Sequence, residues 1–192
     1  MSGWTAILPL KLSADRKSRL APVLSGEERQ RLGDHMARHV ISQLRAVAAV
    51  ADIIMLSPRS IPDWPIRHVL DHGRGLNAEL DVVAATVPNK ILIIHGDLPL
   101  VTAQDITALV DAAEAKGCAI APDRHGQGTN ALALCTRREG FSFAFGVDSF
   151  ARHQNSLGDA LATVQRTGLS CDIDTPDDLA SYAQTQNFKL SD

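Results

Sequence analysis

The sequence is poor in the features that disulfide-bonded, membrane-spanning and basic nucleic-acid-binding proteins require. Its 192 residues include three cysteines, an odd number without metal-ligand spacing, which we expect to be buried in a reducing compartment. No apolar run approaches the roughly 20 residues of a membrane span, and no basic segment precedes an apolar one near Met1, as a signal peptide would require. The net charge of −3 argues against general nucleic-acid binding. These absences predict a cytoplasmic protein without a membrane or nucleic-acid partner.

Several common catalytic motifs are also missing. The sequence has no Gly-x-Ser-x-Gly elbow and no Cys–His pairing that would indicate a covalent nucleophile. It has no Gly-Lys-Ser/Thr in the frame of a phosphate-binding P-loop. His35 and His39 are four residues apart on a predicted helix, but no third metal ligand is evident. Any phosphate or metal chemistry must therefore come from other segments.

Apolar runs of strand length alternate with amphipathic helical segments along the chain. This alternation predicts one α/β domain over residues 1–192, with a mixed, mostly parallel sheet flanked by helices. The run at residues 90–95 is apolar on both faces, which indicates a central strand. The predicted strands cover residues 5–10, 53–56, 66–70, 90–95, 118–121, 130–135, 141–145 and 169–173. Three predicted helices begin after the capping residues Ser25, Thr102 and Thr175, and the first of them runs to about residue 49. Two further helices are predicted over residues 78–86 and 159–167.

A basic loop follows the first predicted strand. Lys11, Arg16, Lys17 and Arg19 place four cations within nine residues. Ligands of open α/β sheets bind at the carboxyl ends of strands, and Lys and Arg there suit a polyphosphate. The alternative is a solvated basic loop without function.

Acidic residues follow two other predicted strands. Asp97 stands in Gly-Asp-Leu-Pro directly after the central strand, where a Mg²⁺ ligand is expected, since Mg²⁺ is usually held by one or two carboxylates plus substrate phosphates. A turn cap is the alternative. Asp172 and Asp174 lie at the end of the last predicted strand, and either could complete a metal site. Asp174 could instead cap the last helix together with Thr175.

Two further loops contain glycines beside hydroxyl side chains. Residues 123–130 contain two glycines followed by Thr129, and a second loop contains Gly146 and Ser149. Both could bind a phosphate or carboxylate through backbone and hydroxyl donors. A hairpin turn and an ordinary helix cap are the alternatives. His153 by itself is expected to be a packed or surface histidine.

In this order, these segments resemble the CofC/FbiD family of guanylyltransferases from about residue 5 to residue 180. The resemblance is carried by Leu8-Pro-Leu-Lys11, Lys17-Ser-Arg-Leu-Ala21, Leu24-Ser-Gly-Glu-Glu-Arg29, Gly75-Leu-Asn77, Gly96-Asp-Leu-Pro99, Gly128-Thr-Asn130, Phe145-Gly-Val-Asp-Ser-Phe150 with His153, and Asp172-Ile-Asp-Thr-Pro176. Many relatives have Ala at the position of Gly96, which is a mild departure.

The resemblance implies a GT-A-like nucleotidyltransferase fold and a Mg²⁺-dependent reaction. The family condenses GTP with 2-phospho-L-lactate, phosphoenolpyruvate or 3-phospho-D-glycerate and releases diphosphate, an early step in coenzyme F-420 biosynthesis. Which of these acids is used stays open. A homodimer is suggested by analogy alone.

The resemblance also implies roles for individual residues. By position, Thr129, Gly146 and Ser149 match the residues that bind the acceptor acid. Asp97 matches a magnesium ligand, with Asp174, or alternatively Asp172, as the second. The expected catalytic residues are Lys17, Arg19 and Asp97. The expected nucleotide-binding residues are Leu8, Lys11, Lys17, Gly75 and Asn77.

Three other functions share parts of this pattern. A molybdenum-cofactor or sugar-phosphate nucleotidyltransferase usually has a glycine-rich first loop, whereas this loop is rich in Lys and Arg. A GT-A glycosyltransferase would normally show Asp-x-Asp, where this sequence has His95-Gly96-Asp97. A nucleotide-binding module without catalysis remains the alternative from a different functional class.

Overall fold

A seven-stranded sheet in the order β3-β2-β1-β4-β6-β5-β7 organises the protein. The structure is a computed structural model that describes residues 3–12, 17–61, 63–87, 90–137 and 139–186. Its strands are β1 Trp4–Pro9, β2 Val50–Ser57, β3 Arg67–Leu70, β4 Ile91–Ile94, β5 Cys118–Pro122, β6 Thr129–Leu134 and β7 Leu161–Thr163. Among these seven strands, β6 alone is antiparallel to its neighbours. The carboxyl ends of the other six strands therefore lie at the same edge of the sheet as the start of β6.

Helices cover both faces of this sheet. They are α1 Gly26–Arg45, α2 Leu76–Ala84, α3 Ala103–Lys116, α4 Ser149–Leu157, α5 Thr167–Ser170 and α6 Pro176–Gln186. Apolar side chains of α1 and α3 pack on one face of the sheet, and those of α2 and α4 pack on the other. Within the described ranges, no helix combines the length and the apolar character that crossing a bilayer requires.

The predicted fold class is confirmed. Strand β4 is buried at all four positions and lies inside the sheet, as its continuous apolar run predicts. Ser25 and Thr102 cap α1 and α3, each in a reciprocal capping box with the acid three residues later. Helix α1 ends at Arg45, slightly before its predicted end.

Three predicted elements are wrong. Residues 141–145 form no strand; their alternate phenylalanines are buried against the α2 and α4 face without a strand partner. Residues 159–167 are not a helix, because the chain turns at Gly158 and then pairs as β7 with β5. Residues 169–173 are not a strand, because α5 occupies Thr167–Ser170. In each case tertiary packing decides between states that a short apolar run leaves open.

The loop before α2 is organised by a buried carboxylate. Glu79 is 1% exposed; its Oε1 accepts the N–H groups of His72 and Arg74 at 2.9 and 3.1 Å. The Arg74 guanidinium donates to the same carboxylate at 3.0 and 2.8 Å. The guanidinium hydrogen bonds outweigh the cost of burial and lower the pKa of Glu79 to about 2. This contact fixes the chain directly before Gly75.

Replacing Gly168 by alanine should destabilise the fold. A Cβ at this position would clash with Asp105 Oδ2 and would lie 2.7 Å from the Leu100 carbonyl oxygen and 2.9 Å from the Val101 Cα. Two of these three atoms belong to the backbone, which cannot move aside without a large cost in free energy. Overpacking of this kind costs about 1–3 kcal/mol of unfolding free energy. Urea unfolding of Gly168→Ala measures this loss. Gly26→Ala is the matched control, because the nearest atom to its Cβ is 3.8 Å away, and it should unfold like the wild type or slightly later.

Replacing Glu79 by glutamine should flatten the acid dependence of stability. The folded-state pKa of Glu79 lies below the ordinary value of 4.5, so its ionised form stabilises the fold above that value, and the contribution is lost as the pH falls toward 2. The difference in melting temperature between wild type and Glu79→Gln should therefore be largest near pH 7 and shrink toward pH 2. A difference that stays constant across this range would contradict the role of the charged carboxylate.

Candidate active site

Polar side chains from four parts of the chain meet at the shared edge of the sheet. Lys17 follows β1, Asp97 follows β4, and the loop at residues 123–128 precedes β6. The segment at residues 172–174 joins them, because the Ile173 N–H donates to the Asp97 carbonyl oxygen at 3.3 Å. The order of the strands thus brings together residues that are up to 157 positions apart in the sequence.

An ammonium group lies between two carboxylates at this edge. Lys17 Nζ donates to Asp97 Oδ2 and to Asp174 Oδ1, each at 2.6 Å. The side chain of Lys17 is 7% exposed, whereas Asp97 and Asp174 are 24% and 44% exposed. Lys17 adopts a left-handed backbone conformation with φ 57°, which is uncommon for a residue other than glycine. The chain thus accepts a strained conformation at the residue that supplies this ammonium.

The charges stabilise one another in this arrangement. Burial opposes the charged form of Lys17, but the two carboxylates prevail and raise its pKa. Burial likewise opposes ionisation of Asp97, and the Lys17 ammonium nevertheless holds the pKa of that carboxyl below its ordinary value. Burial and the nearby charges of Asp97 and Asp174 instead raise the pKa of Asp172.

Asp97 keeps one carboxylate oxygen for a further partner. Its Oδ1 is buried and accepts no hydrogen bond within the described ranges. A buried oxygen without a donor is costly, and a cation or a ligand donor would satisfy it. The described residues contain no cluster of three or more His, Cys, Asp and Glu side chains arranged to hold a metal ion. Asp97 and Asp174 are thus a pair of carboxylates that share one cation.

Arg124 holds the segment that contains Asp174. Its guanidinium donates to the Asp172 carbonyl oxygen at 2.6 Å and pairs with Asp178 at 3.0 Å. The other oxygen of Asp178 accepts the N–H groups of Asp174 and Thr175 at 2.9 and 2.8 Å. Asp172 Oδ1 in turn accepts from Asn130 Nδ2 at 3.3 Å. This role of Arg124 was not predicted from the sequence, where its signal is a cation within the glycine-containing loop.

The residues predicted to bind the acceptor acid lie on two neighbouring elements. Thr129 opens β6 and is 3% exposed, and Ser149 opens α4 and is 1% exposed. Gly146 lies on an exposed loop with φ 115°, a conformation that glycine adopts without strain. The Ser149 N–H donates to the Gly146 carbonyl oxygen at 3.1 Å. We call residues 144–149 the acceptor loop.

His153 is part of this arrangement, although the sequence indicated only a packed or surface histidine. It is completely buried. Its Nε2 accepts the Ala144 N–H at 3.1 Å, and its Nδ1 lies 3.1 Å from Thr129 Oγ1. Burial, aided by the charge of Arg152, lowers the pKa of His153 to about 4. The ring is therefore neutral near pH 7 and links β6 to the acceptor loop.

The residues predicted to bind nucleotide are more dispersed. Leu8 is completely buried in β1, so its side chain contributes to the core. Lys11 and Arg19 are exposed on the segment that follows β1, and Gly75 is exposed at the start of α2. The Asn77 side chain is hydrogen-bonded to the backbone of Phe145. Arg16 lies outside the described residues.

Comparison with solved structures places the fold among nucleotidyltransferases. A 2-C-methyl-D-erythritol 4-phosphate cytidylyltransferase from Thermus thermophilus superposes with a TM-score of 0.60 at 16% identity, over 98% of this chain and 100% of that chain. A CMP:2-keto-3-deoxy-manno-octonic acid synthetase superposes with a TM-score of 0.57 at 15% identity, over 97% of this chain and 100% of that one. These likenesses support the predicted nucleotidyltransferase fold.

Comparison of sequences identifies the family. A phosphoenolpyruvate guanylyltransferase from Sphaerobacter thermophilus is 39% identical, over 93% of this chain and 91% of the relative. One from Chloroflexus aggregans is 34% identical, over 93% of this chain and 96% of the relative. The model of the family described as "Guanylyl transferase CofC like" matches residues 4–184. The chain therefore belongs to the CofC-like family of guanylyltransferases.

Proposed function

We propose that this chain is a cytoplasmic, Mg²⁺-dependent enzyme that transfers the guanylyl group of GTP to phosphoenolpyruvate, in coenzyme F-420 biosynthesis. The observation that carries the proposal is the meeting of Lys17, Asp97 and Asp174 at the edge of the sheet where β6 begins at Thr129. The relatives at 39% and 34% identity, both named phosphoenolpyruvate guanylyltransferase, support this choice of acceptor. The three cysteines form no disulfide bond with one another, which suits a reducing compartment.

The residues at the strand ends fit a magnesium site. Asp97 and Asp174 provide hard oxygen ligands, and the unpartnered Oδ1 of Asp97 has capacity for a further contact. Two carboxylates are enough when substrate phosphates complete the coordination. The Lys17 ammonium already pairs with both carboxylates and leaves them with a net negative charge, so the position suits a cation. When bound there, Mg²⁺ would supply positive charge that offsets the charge of the triphosphate.

The proposed reaction needs no general base. The acceptor phosphate is ionised near pH 7, and one of its oxygens attacks the α-phosphorus of GTP. A new P–O bond forms there, the bond from the α-phosphorus to the bridging oxygen of the β-phosphate breaks, and diphosphate leaves. Catalysis then depends on positioning the two anions and neutralising their charge.

Different residues would neutralise the phosphate charges and contact the guanosine. Lys17 and Arg19 would offset charge on the β- and γ-phosphates once Lys17 is released from its carboxylates. Lys11 would add a further positive charge, and the backbone around Leu8 and Gly75 would face the guanosine. The positive end of α2 at Gly75 favours anionic or polar ligand groups.

The acceptor loop and the first residue of β6 supply the other half of the proposed site. The Thr129 and Ser149 hydroxyls and the Gly146 backbone would bind the acid. The two hydroxyl side chains are almost completely buried, so an acceptor would contact them through the small part that stays exposed. Hydrogen bonds made in such a dehydrated site discriminate strongly between ligands.

The decisive experiment is an assay of diphosphate release from GTP in the presence of Mg²⁺. Phosphoenolpyruvate, 2-phospho-L-lactate and 3-phospho-D-glycerate are supplied in separate reactions, with CTP and ATP as nucleotide controls. We expect diphosphate release with GTP, most rapidly when phosphoenolpyruvate is the acceptor. In Asp97→Asn, the rate of diphosphate release should fall roughly 100-fold or more while the circular dichroism spectrum stays unchanged. No release with any acid would refute the proposal, and near-normal turnover of Asp97→Asn would refute the metal role.

Removing the Lys17 ammonium should strengthen metal binding to the nucleotide-free protein. In the wild type, a divalent ion has to displace this ammonium from Asp97 and Asp174. Lys17→Met should therefore bind Mn²⁺ roughly tenfold more tightly, as measured by electron paramagnetic resonance without nucleotide. Lys116→Met, an exposed change at the end of α3, is the control and should match the wild type. Equal affinity in Lys17→Met and the wild type would show that the ammonium and the metal do not share a position.

A further inference from the structure

The Asn77 amide is paired with the backbone of the acceptor loop. Phe145 N–H donates to Asn77 Oδ1 at 2.7 Å, and Asn77 Nδ2 donates to the Phe145 carbonyl oxygen at 3.0 Å. Both polar atoms of the side chain thus have a partner 68 residues away. A direct contact with the nucleotide, which the sequence resemblance implies, would compete with this pairing.

The position of Asn77 in the fold makes this pairing informative. It is the second residue of α2 and lies two positions after Gly75, whose φ of 96° opens the helix. Phe145 directly precedes Gly146 in the acceptor loop. The hydrogen bonds therefore connect the segment proposed to face the nucleotide with the segment proposed to bind the acid.

His153, on α4, contacts the backbone of the same loop. Because its Nε2 accepts the Ala144 N–H, the hydrogen of the neutral ring is on Nδ1 and is donated to Thr129 Oγ1. The Thr129 oxygen then acts as an acceptor toward His153, and its own hydrogen remains available. A hydroxyl group in this state can donate to a phosphate or a carboxylate.

We propose that Asn77 and His153 are positioning residues of the acceptor site: Asn77 fixes the backbone before Gly146, and His153 directs the Thr129 hydroxyl hydrogen toward the acceptor. This inference rests on the proposed function and assigns neither residue a contact with the nucleotide. It predicts that changes at both positions weaken binding of the acid while binding of GTP is preserved.

The first test compares KM values of Asn77→Ala and Asn77→Asp. Losing two hydrogen bonds should raise the KM for phosphoenolpyruvate roughly tenfold in Asn77→Ala. Asn77→Asp should be worse, because it directs a carboxylate oxygen at the Phe145 carbonyl oxygen. The KM for GTP should stay within about twofold and the melting temperature close to that of the wild type. Asn155→Ala, an exposed change on α4, is the matched control and should behave like the wild type.

The second test is a double-mutant cycle. His153→Gln keeps an oxygen that can accept the Ala144 N–H but loses the donor at Nδ1. If His153 acts through the Thr129 hydroxyl, the KM for phosphoenolpyruvate in the double variant His153→Gln/Thr129→Val should be close to that of Thr129→Val alone. Fully additive effects in the cycle would contradict the proposed role of His153.

The outcomes separate this inference from the proposed function. A wild type that neither releases diphosphate nor binds phosphoenolpyruvate by isothermal titration calorimetry refutes the proposed function, and the inference fails with it. With an active wild type, a selective rise in the KM for GTP in the Asn77 variants makes Asn77 a nucleotide contact and overturns the inference. Unchanged KM values also overturn it. So does a parallel rise of both values with a lowered melting temperature, which would indicate a purely structural role.

Discussion

The site depends on one ammonium group placed between two carboxylates. Without Lys17, the charges of Asp97 and Asp174 would face each other at the carboxyl end of the central strand with no described cation between them. Repulsion between such groups is strong away from bulk water, so either the local structure or the protonation of the acids would have to change. The left-handed backbone at Lys17 is a cost that these two ion pairs offset. The protein therefore maintains a preformed cation position at this edge.

The antiparallel direction of β6 determines which residues lie near this cation position. In a fully parallel sheet, the residues that open a strand lie at the edge opposite to the carboxyl ends. Because β6 runs antiparallel between β4 and β5, Thr129 and Asn130 open it on the same side as Asp97. Asn130 then contacts Asp172, and Thr129 contacts His153. One reversed strand thus joins the acidic half of the site to the acceptor loop.

The sequence predicts the elements that are decided locally and misses those decided by packing. The apolar run of β4 and the capping residues Ser25 and Thr102 indicate their elements because burial on both faces and end-capping leave direct patterns. Residues 159–167 and 169–173 carry short apolar runs that suit helix or strand, and pairing with β5 and the docking of α5 decide between them. Lys17, Asp97 and Asp174 could be named from position and resemblance. The contact of the Lys17 ammonium with both carboxylates could not, since it joins residues up to 157 positions apart.

The same distinction applies to Asn77 and His153. A polar side chain in a family motif suggests contact with the ligand, yet both of these residues direct their hydrogen bonds at other parts of the chain. An unsupported loop would have to lose conformational freedom each time it bound a small acid, and that loss would weaken binding. Hydrogen bonds to Ala144 and Phe145 impose this order before any ligand arrives. Because Asn77 belongs to α2, whose first residues follow Gly75, displacement of that helix end by a nucleotide would reach the acceptor loop through the Asn77 amide.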